Sequence, residues 1–70
     1  MANINASMAG SVWKILVKAG DIITEGQEVA ILESMKMEIP ITSEASGTVL
    51  NVKVAEGEFV NEGDVIITFE

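Results

Sequence analysis

Chemistry has few places to reside in this chain. Its 70 residues include no histidine and no cysteine, which removes the usual general base near neutral pH, the usual zinc ligand, the thiol nucleophile and any disulfide. Arginine is absent too, so positive charge rests on Lys14, Lys18, Lys36 and Lys53 alone. One of these stands apart. Lys36 lies in Glu33-Ser34-Met35-Lys36-Met37-Glu38-Ile39, and it alone has a methionine on each side. Lysine amines are poor spontaneous nucleophiles: with an ordinary pKa near 10.4, about one in a thousand is neutral at pH 7.4. Such a residue is unsuited to catalysis on its own but well suited to modification by another enzyme.

The elements that must position this lysine come from an internal repeat. Residues 10–33 align without a gap on residues 47–70: Gly10 falls on Gly47, Gly20 on Gly57 and Gly26 on Gly63, which uses all 6 glycines. Val12 meets Val49, Val17 meets Val54, Glu25-Gly26 meets Glu62-Gly63 and Glu33 meets Glu70, with Asp21 on Glu58 and Ile22 on Phe59 between them. Chance matches a few apolar positions, but it does not readily place every glycine in register. Within each copy, 10–17 and 47–54 read as short apolar strands interrupted by solvent-facing Lys14, Asn51 and Lys53, and 28–32 and Val65–Phe69 as further strands. The turns Lys18-Ala19-Gly20-Asp21, Thr24-Glu25-Gly26-Gln27, Ala55-Glu56-Gly57-Glu58 and Asn61-Glu62-Gly63-Asp64 each carry glycine third, where a turn often demands positive φ.

No window shows sustained helical periodicity. Short strands with glycine turns predict an all-β sandwich or small barrel. Neither copy is large enough to bury its own apolar face, so the two must share one core about an approximate two-fold axis. Phe59 and Phe69 are core candidates, and Trp13, which falls on Leu50, is read as a packing residue. The segment 33–43 is then the crossing piece, with no counterpart before Met8 or after Glu70. Pro40 inside it cannot donate to a ladder and marks an edge strand or a strand end.

Composition bounds the rest. A chain of this length makes one small domain, 1–70, able to bury about 60% of its unfolded surface, and 49% hydrophobic content argues for a core rather than disorder. A net charge of −7 repels phosphate backbones, arguing against nucleic acid, and steers the chain toward basic partner surfaces. No basic start precedes an apolar run, and nothing reaches the length of a membrane span. The expectation is a cytoplasmic, reduced protein, monomeric in isolation. A piece cut from a longer chain is the alternative reading.

Two readings of residues 31–41 compete. In one, a single half-buried strand puts Ile31, Met35, Met37, Ile39 and Ile41 on one face and Ser34, Lys36 and Glu38 on the other, leaving Lys36 an ordinary solvated charge. That strand exceeds the usual length of about 5–6 residues and carries Glu33 on its apolar face. In the other, the run breaks into a hairpin, 33–41, with Met35-Lys36 at its tip. Two-residue hairpin turns favour Asn-Gly because type I′ needs positive φ at both central residues; methionine and lysine there hold about 1–3 kcal/mol of strain each. A strained tip without glycine is expected where side-chain identity matters more than turn comfort.

Glu33-Ser34-Met35-Lys36-Met37 resembles the biotin attachment motif of biotin carboxyl carrier domains, usually Glu-Ala-Met-Lys-Met, and the likeness extends along nearly the whole chain. Met8-Ala9-Gly10-Ser11-Val12-Trp13 is similar to the family's opening strand. Val17-Lys18-Ala19-Gly20-Asp21 and Glu25-Gly26-Gln27-Glu28-Val29 are similar to its first-half turns, and Ser46-Gly47-Thr48-Val49, Glu56-Gly57 and Glu62-Gly63-Asp64 to its second half. Small bacterial stand-alone biotin/lipoyl attachment proteins show the nearest likeness. The resemblance implies a flattened β-barrel, a sandwich hybrid of two four-stranded antiparallel sheets, with the modified lysine on a hairpin turn.

It implies that Lys36 is joined by an amide to biotin's valeryl carboxyl by a biotin protein ligase using biotinyl-adenylate. Met35 and Met37 are then its flanks, and Glu33 the acidic residue three places before it. It also implies a non-catalytic swinging arm of an acyl-CoA carboxylase kind of system. A biotin carboxylase carboxylates the ureido nitrogen using ATP and bicarbonate, a carboxyltransferase passes the carboxyl group on, and the domain performs neither step. Ser34 stands where the family usually has Ala. The gap-free repeat leaves no room for the thumb insertion of some members, and no Pro/Ala-rich linker is present.

Alternatives remain at this level. Lipoyl domains, of the same structural family, resemble Glu-Thr-Asp-Lys-Ala here; that Asp is absent, and the flanking methionines favour biotin, with lipoate as second expectation. A small β-barrel interaction module with no covalent cofactor is a third, under which Lys36→Arg is silent. An enzyme in its own right lacks histidine, cysteine and a serine triad. Asp21, Glu58 and Asp64 form no calcium loop, and Glu25 and Glu62 share turn geometry rather than paired catalysis.

Overall fold

The computed structural model describes residues 2–70; Met1, the first residue of the expected domain, lies outside them. Eight strands follow in order: β1 Ala2–Asn5, β2 Gly10–Ile15, β3 Ile22–Ile23, β4 Glu28–Ser34, β5 Met37–Thr42, β6 Gly47–Val52, β7 Phe59–Val60 and β8 Val65–Phe69. No helix forms among the described residues. The pairings are antiparallel and build two four-stranded sheets, ordered β1-β8-β6-β3 and β5-β4-β2-β7. A pseudo-two-fold axis exchanges these orders, with β2, β3 and β4 taking the places of β6, β7 and β8, and β5 that of β1.

That last exchange corrects the expectation that 33–43 has no counterpart. Residues 2–6 stand in one half where 39–43 stand in the other. The Ala6 amide donates to the Asp64 carbonyl at 2.8 Å and the Gly63 amide to the Ala6 carbonyl at 2.9 Å. At the equivalent seam, the Ser43 amide donates to the Gln27 carbonyl at 2.9 Å and the Gly26 amide to the Ser43 carbonyl at 2.8 Å. Residue types hide the relation. Neither segment holds a glycine, and only Ile4 and Ile41 are identical.

The inner faces close on a shared core. Ile23, Leu32, Ile66 and Ile67 are wholly buried, and Val12, Val29, Val49 and Val60 pack among them. Each such side chain contributes about 1.5–3 kcal/mol on burial, so a handful matches the whole net stability of a small domain, about 5–15 kcal/mol. Neither sheet keeps its shape without the other.

The turns behave as their glycines require, with φ from 86° at Gly26 to 95° at Gly20. Their acidic and amide side chains close them locally. The Lys18 amide donates to Asp21 Oδ2 and the Ala55 amide to Glu58 Oε1, both at 3.0 Å; the Asn61 amide donates to Asp64 Oδ2 at 2.9 Å. Those carboxylates are turn residues.

One aromatic residue departs from expectation. Phe69 is buried, but Phe59 is 62% exposed, because its neighbour Val60 takes the inward position on the short edge strand β7 and alternation sends Phe59 outward. Trp13 sits where the β2 register shifts between Val12 and Lys14, and it stays 42% exposed with the Lys14 amine 5.1 Å from its ring centroid. It lies outside the core and packs with Lys14. Pro40 lies on the edge strand β5, as its missing amide demands.

Gly10 shows how tightly β2 meets β4. A Cβ there would lie 2.9 Å from the Glu33 carbonyl oxygen and 3.4 Å from the Ser34 Cβ. Gly10→Ala should therefore lower the unfolding free energy by about 1–3 kcal/mol, read from the urea midpoint. An unchanged midpoint would show that β4 yields without cost.

Candidate functional site

β4 and β5 pair from Glu28↔Thr42 down to Leu32↔Ile39, Glu33↔Glu38 and Ser34↔Met37, which leaves Met35 and Lys36 alone in the loop. Their φ angles are 51° and 65°. Positive φ at both central residues is the requirement of a type I′ turn, whose twist matches that of the strands it joins. The hairpin reading of 31–41 is the one found, and the unbroken strand is not. Each non-glycine residue in this region costs about 1–2 kcal/mol. The chain tolerates it because the ladder below is anchored by buried Ala30, Leu32 and Ile41, so the strands dictate the turn.

The tip is wet. Met35 is 92% exposed, Met37 62%, and Lys36 is exposed between them. Lys14, Lys18 and Lys53 are exposed as well, so exposure alone singles out no lysine; position at an apex does. Asn5 and Thr42, and likewise Ser7 and Glu44, are equivalents in the two halves and line one cleft, so the pseudo-axis passes there. From it β5 leads back to the tip and β1 leads back to Ala2, paired with Phe69, in the opposite direction. Lys36 and the Ala2–Phe69 pair thus lie toward opposite poles of a body 31 Å long.

Of the residues singled out in the sequence, Met35, Lys36 and Met37 meet at the apex. Glu33 stands one ladder pair below, directly opposite Glu38, and both are exposed. Like charges so placed weaken a strand pair, so their position is not explained by stability. The same outward row continues through Ser11 on β2 to Phe59 on β7. Sequence reasoning found neither the Glu33–Glu38 pairing nor the exposure of Phe59. Alternation near 33–38 could have signalled the first once the turn was placed; the second depends on pairing between distant segments. Among the described residues, no three carboxylates converge to hold a metal ion.

Residues 2–69 match the family model described as "Biotin-requiring enzyme". The chain belongs to the biotin/lipoyl attachment family. Within that family, it is 64% identical to the biotin/lipoyl attachment protein of Bacillus subtilis (strain 168), over 91% of this chain and 88% of that protein. It is 46% identical to the biotin carboxyl carrier protein of Streptococcus mutans, over 90% of this chain but only 48% of that one. Among solved structures, the urea carboxylase of Kluyveromyces lactis superposes with a TM-score of 0.91 at 28% identity, covering 99% of this chain and 6% of that one. The family's fold therefore occurs both in short chains and as a small part of long ones.

The strain at the tip is measurable without touching the amine. Met35→Gly removes a Cβ from a position with φ of 51° and should raise the unfolding free energy by about 1 kcal/mol, measured by urea denaturation. A loss of stability instead would mean that the turn stores no strain.

Proposed function

We propose that Lys36 of this biotin carboxyl carrier domain is the residue joined to biotin. The observation that carries the reading is the turn: of the four lysines, only Lys36 crowns a hairpin held at positive φ against its own local preference. The residues present fit the group. An amide at Nζ needs no pocket in this chain, only an amine that a second active site can enclose. Loss of the ammonium charge strands no buried partner, since the side chain stands in solvent.

Biotin, when bound, supplies a ureido nitrogen able to carry a carboxyl group between active sites. The chain's own contribution is positional. Its ladder and core hold the apex steady, leaving the lysine side chain as the flexible part, and covalent attachment raises effective concentration at each active site. Met35 and Met37 offer polarizable apolar surface on both sides of the amine. Glu33 and Glu38 place negative charge one pair below it, suited to a basic partner surface. The partners are a biotin protein ligase, a biotin carboxylase and a carboxyltransferase, and the chain itself catalyses neither carboxylation nor transfer. Likeness to the Streptococcus mutans carrier protein and to a urea carboxylase supports biotin over lipoate.

Intact-mass analysis and streptavidin blotting of protein from its native host test this. Wild type, Lys14→Arg and Lys53→Arg should carry biotin and Lys36→Arg none. Biotin persisting on Lys36→Arg, or a lipoyl adduct alone on wild type, would refute the reading.

A further inference from the structure

The duplication provides an internal control. Most described positions on the outer face of one sheet have an equivalent on the other, and both faces satisfy the same fold. On the sheet bearing Lys36, the outward rows are Phe59–Ser11–Glu33–Glu38 and Lys14–Ile31–Pro40, with Trp13 at the register shift beside Lys14. The equivalents on the other sheet are Ile22–Thr48–Glu70 and Asn51–Thr68–Asn3, of which Thr68 is covered by its neighbours, with Leu50 at its register shift. Where that sheet has Leu50, Asn3 and Ile22, the lysine-bearing sheet has Trp13, Pro40 and Phe59. Folding is met by either set, so the larger apolar residues on one face answer to something outside the chain.

Two further observations say what that is. Phe59 is 62% exposed and Trp13 42%, and exposed aromatic anchors are the residues on which interfaces concentrate their energy. Phe59 lies two strands from β4, about 10 Å at ordinary strand spacing, so a body closing over the hairpin tip reaches it. Beside it in the same row stand the exposed carboxylates Glu33 and Glu38, on a chain of net charge −7. The complementary surface is apolar at its centre and basic at its rim.

We infer that this face, anchored by Phe59 and Trp13, is the docking surface for the ligase that modifies Lys36. The inference rests on Lys36 being the acceptor. The ligase meets the chain before any cofactor is attached and must recognise the protein's own residues, whereas enzymes that use the attached group can bind the group itself.

The test is steady-state biotinylation by a purified biotin protein ligase with the unmodified chain as varied substrate. It is paired with calorimetric binding of Lys36→Arg, which cannot be modified. Phe59→Ser combined with Trp13→Leu should raise KM about tenfold with kcat nearly unchanged, and should weaken the Kd of the Lys36→Arg background by the same factor. Ile22→Ser, at the equivalent exposed position of the other sheet, should change neither. Phe59→Ile and Trp13→Leu alone place residues that the other half already holds, so they keep the fold and should give smaller shifts in the same direction.

A wild-type KM in the double variant, or an equal rise in Ile22→Ser, overturns the inference. So does unchanged ligase kinetics with slowed carboxylation by a biotin carboxylase, which assigns the face to that enzyme, or loss of self-association in Phe59→Ser, which assigns it to a second copy. Wild-type chain that takes no label overturns the Lys36 reading itself, and the docking inference with it. Labelled wild type with an unshifted KM overturns only the docking.

Discussion

Ile4 and Ile41 enter the shared core from the two different sheets, at equivalent places in copies that have no core of their own. The backbone repeats the arrangement. The Gly20 amide donates to the Val49 carbonyl and the Gly57 amide to the Val12 carbonyl, so each copy lends an edge strand to the sheet dominated by the other: β3 pairs with β6, and β7 with β2. With both apolar burial and ladder bonds exchanged in this way, the halves stand or fall together. Pairing is largely between residues far apart in sequence, the kind that forms late and cooperatively.

That interlock is what makes a strained tip affordable. Two non-glycine residues at positive φ oppose the turn by about 1–2 kcal/mol each, a cost that burial of Leu32, Ala30 and Ile41 directly below offsets. A marginal scaffold would relax the turn into a wider loop, and the lysine would then sample many directions. Here the flexible part begins at the side chain. For the attachment role proposed for Lys36, this confines the amine to one pole of the molecule.

Symmetry also separates two kinds of residue. Where the copies agree, at the turn glycines and at Val12 with Val49, the residue serves the architecture both share. Where they differ, the fold has been satisfied twice by different means, and the difference is available for recognition. Met35 and Lys36 are the extreme case, for they cap the ladder beyond Leu32 and Ile39, whose equivalents in the other half are Phe69 and Ala2. Glu33 and Glu70 caution against reading every match as architectural: they are identical and equivalent, yet only Glu33 faces another carboxylate across a ladder.

The amino-acid sequence by itself determined the repeat, the four glycine turns, the all-β class and the lysine proposed as the attachment point. These are local properties: a φ that glycine alone adopts without strain, a side chain with the right nucleophile, an alternation confined to neighbours in the chain. Tertiary structure decided the rest. It broke 31–41 into a hairpin, made β1 the equivalent of β5 in the other half, set Glu33 against Glu38 and turned Phe59 to solvent. Each of these depends on a register between segments, some distant in sequence and some meeting across a turn. Alternation tells which residues share a face but not which face looks inward. Only the packing of one sheet on the other settles that, because only there does water leave one side.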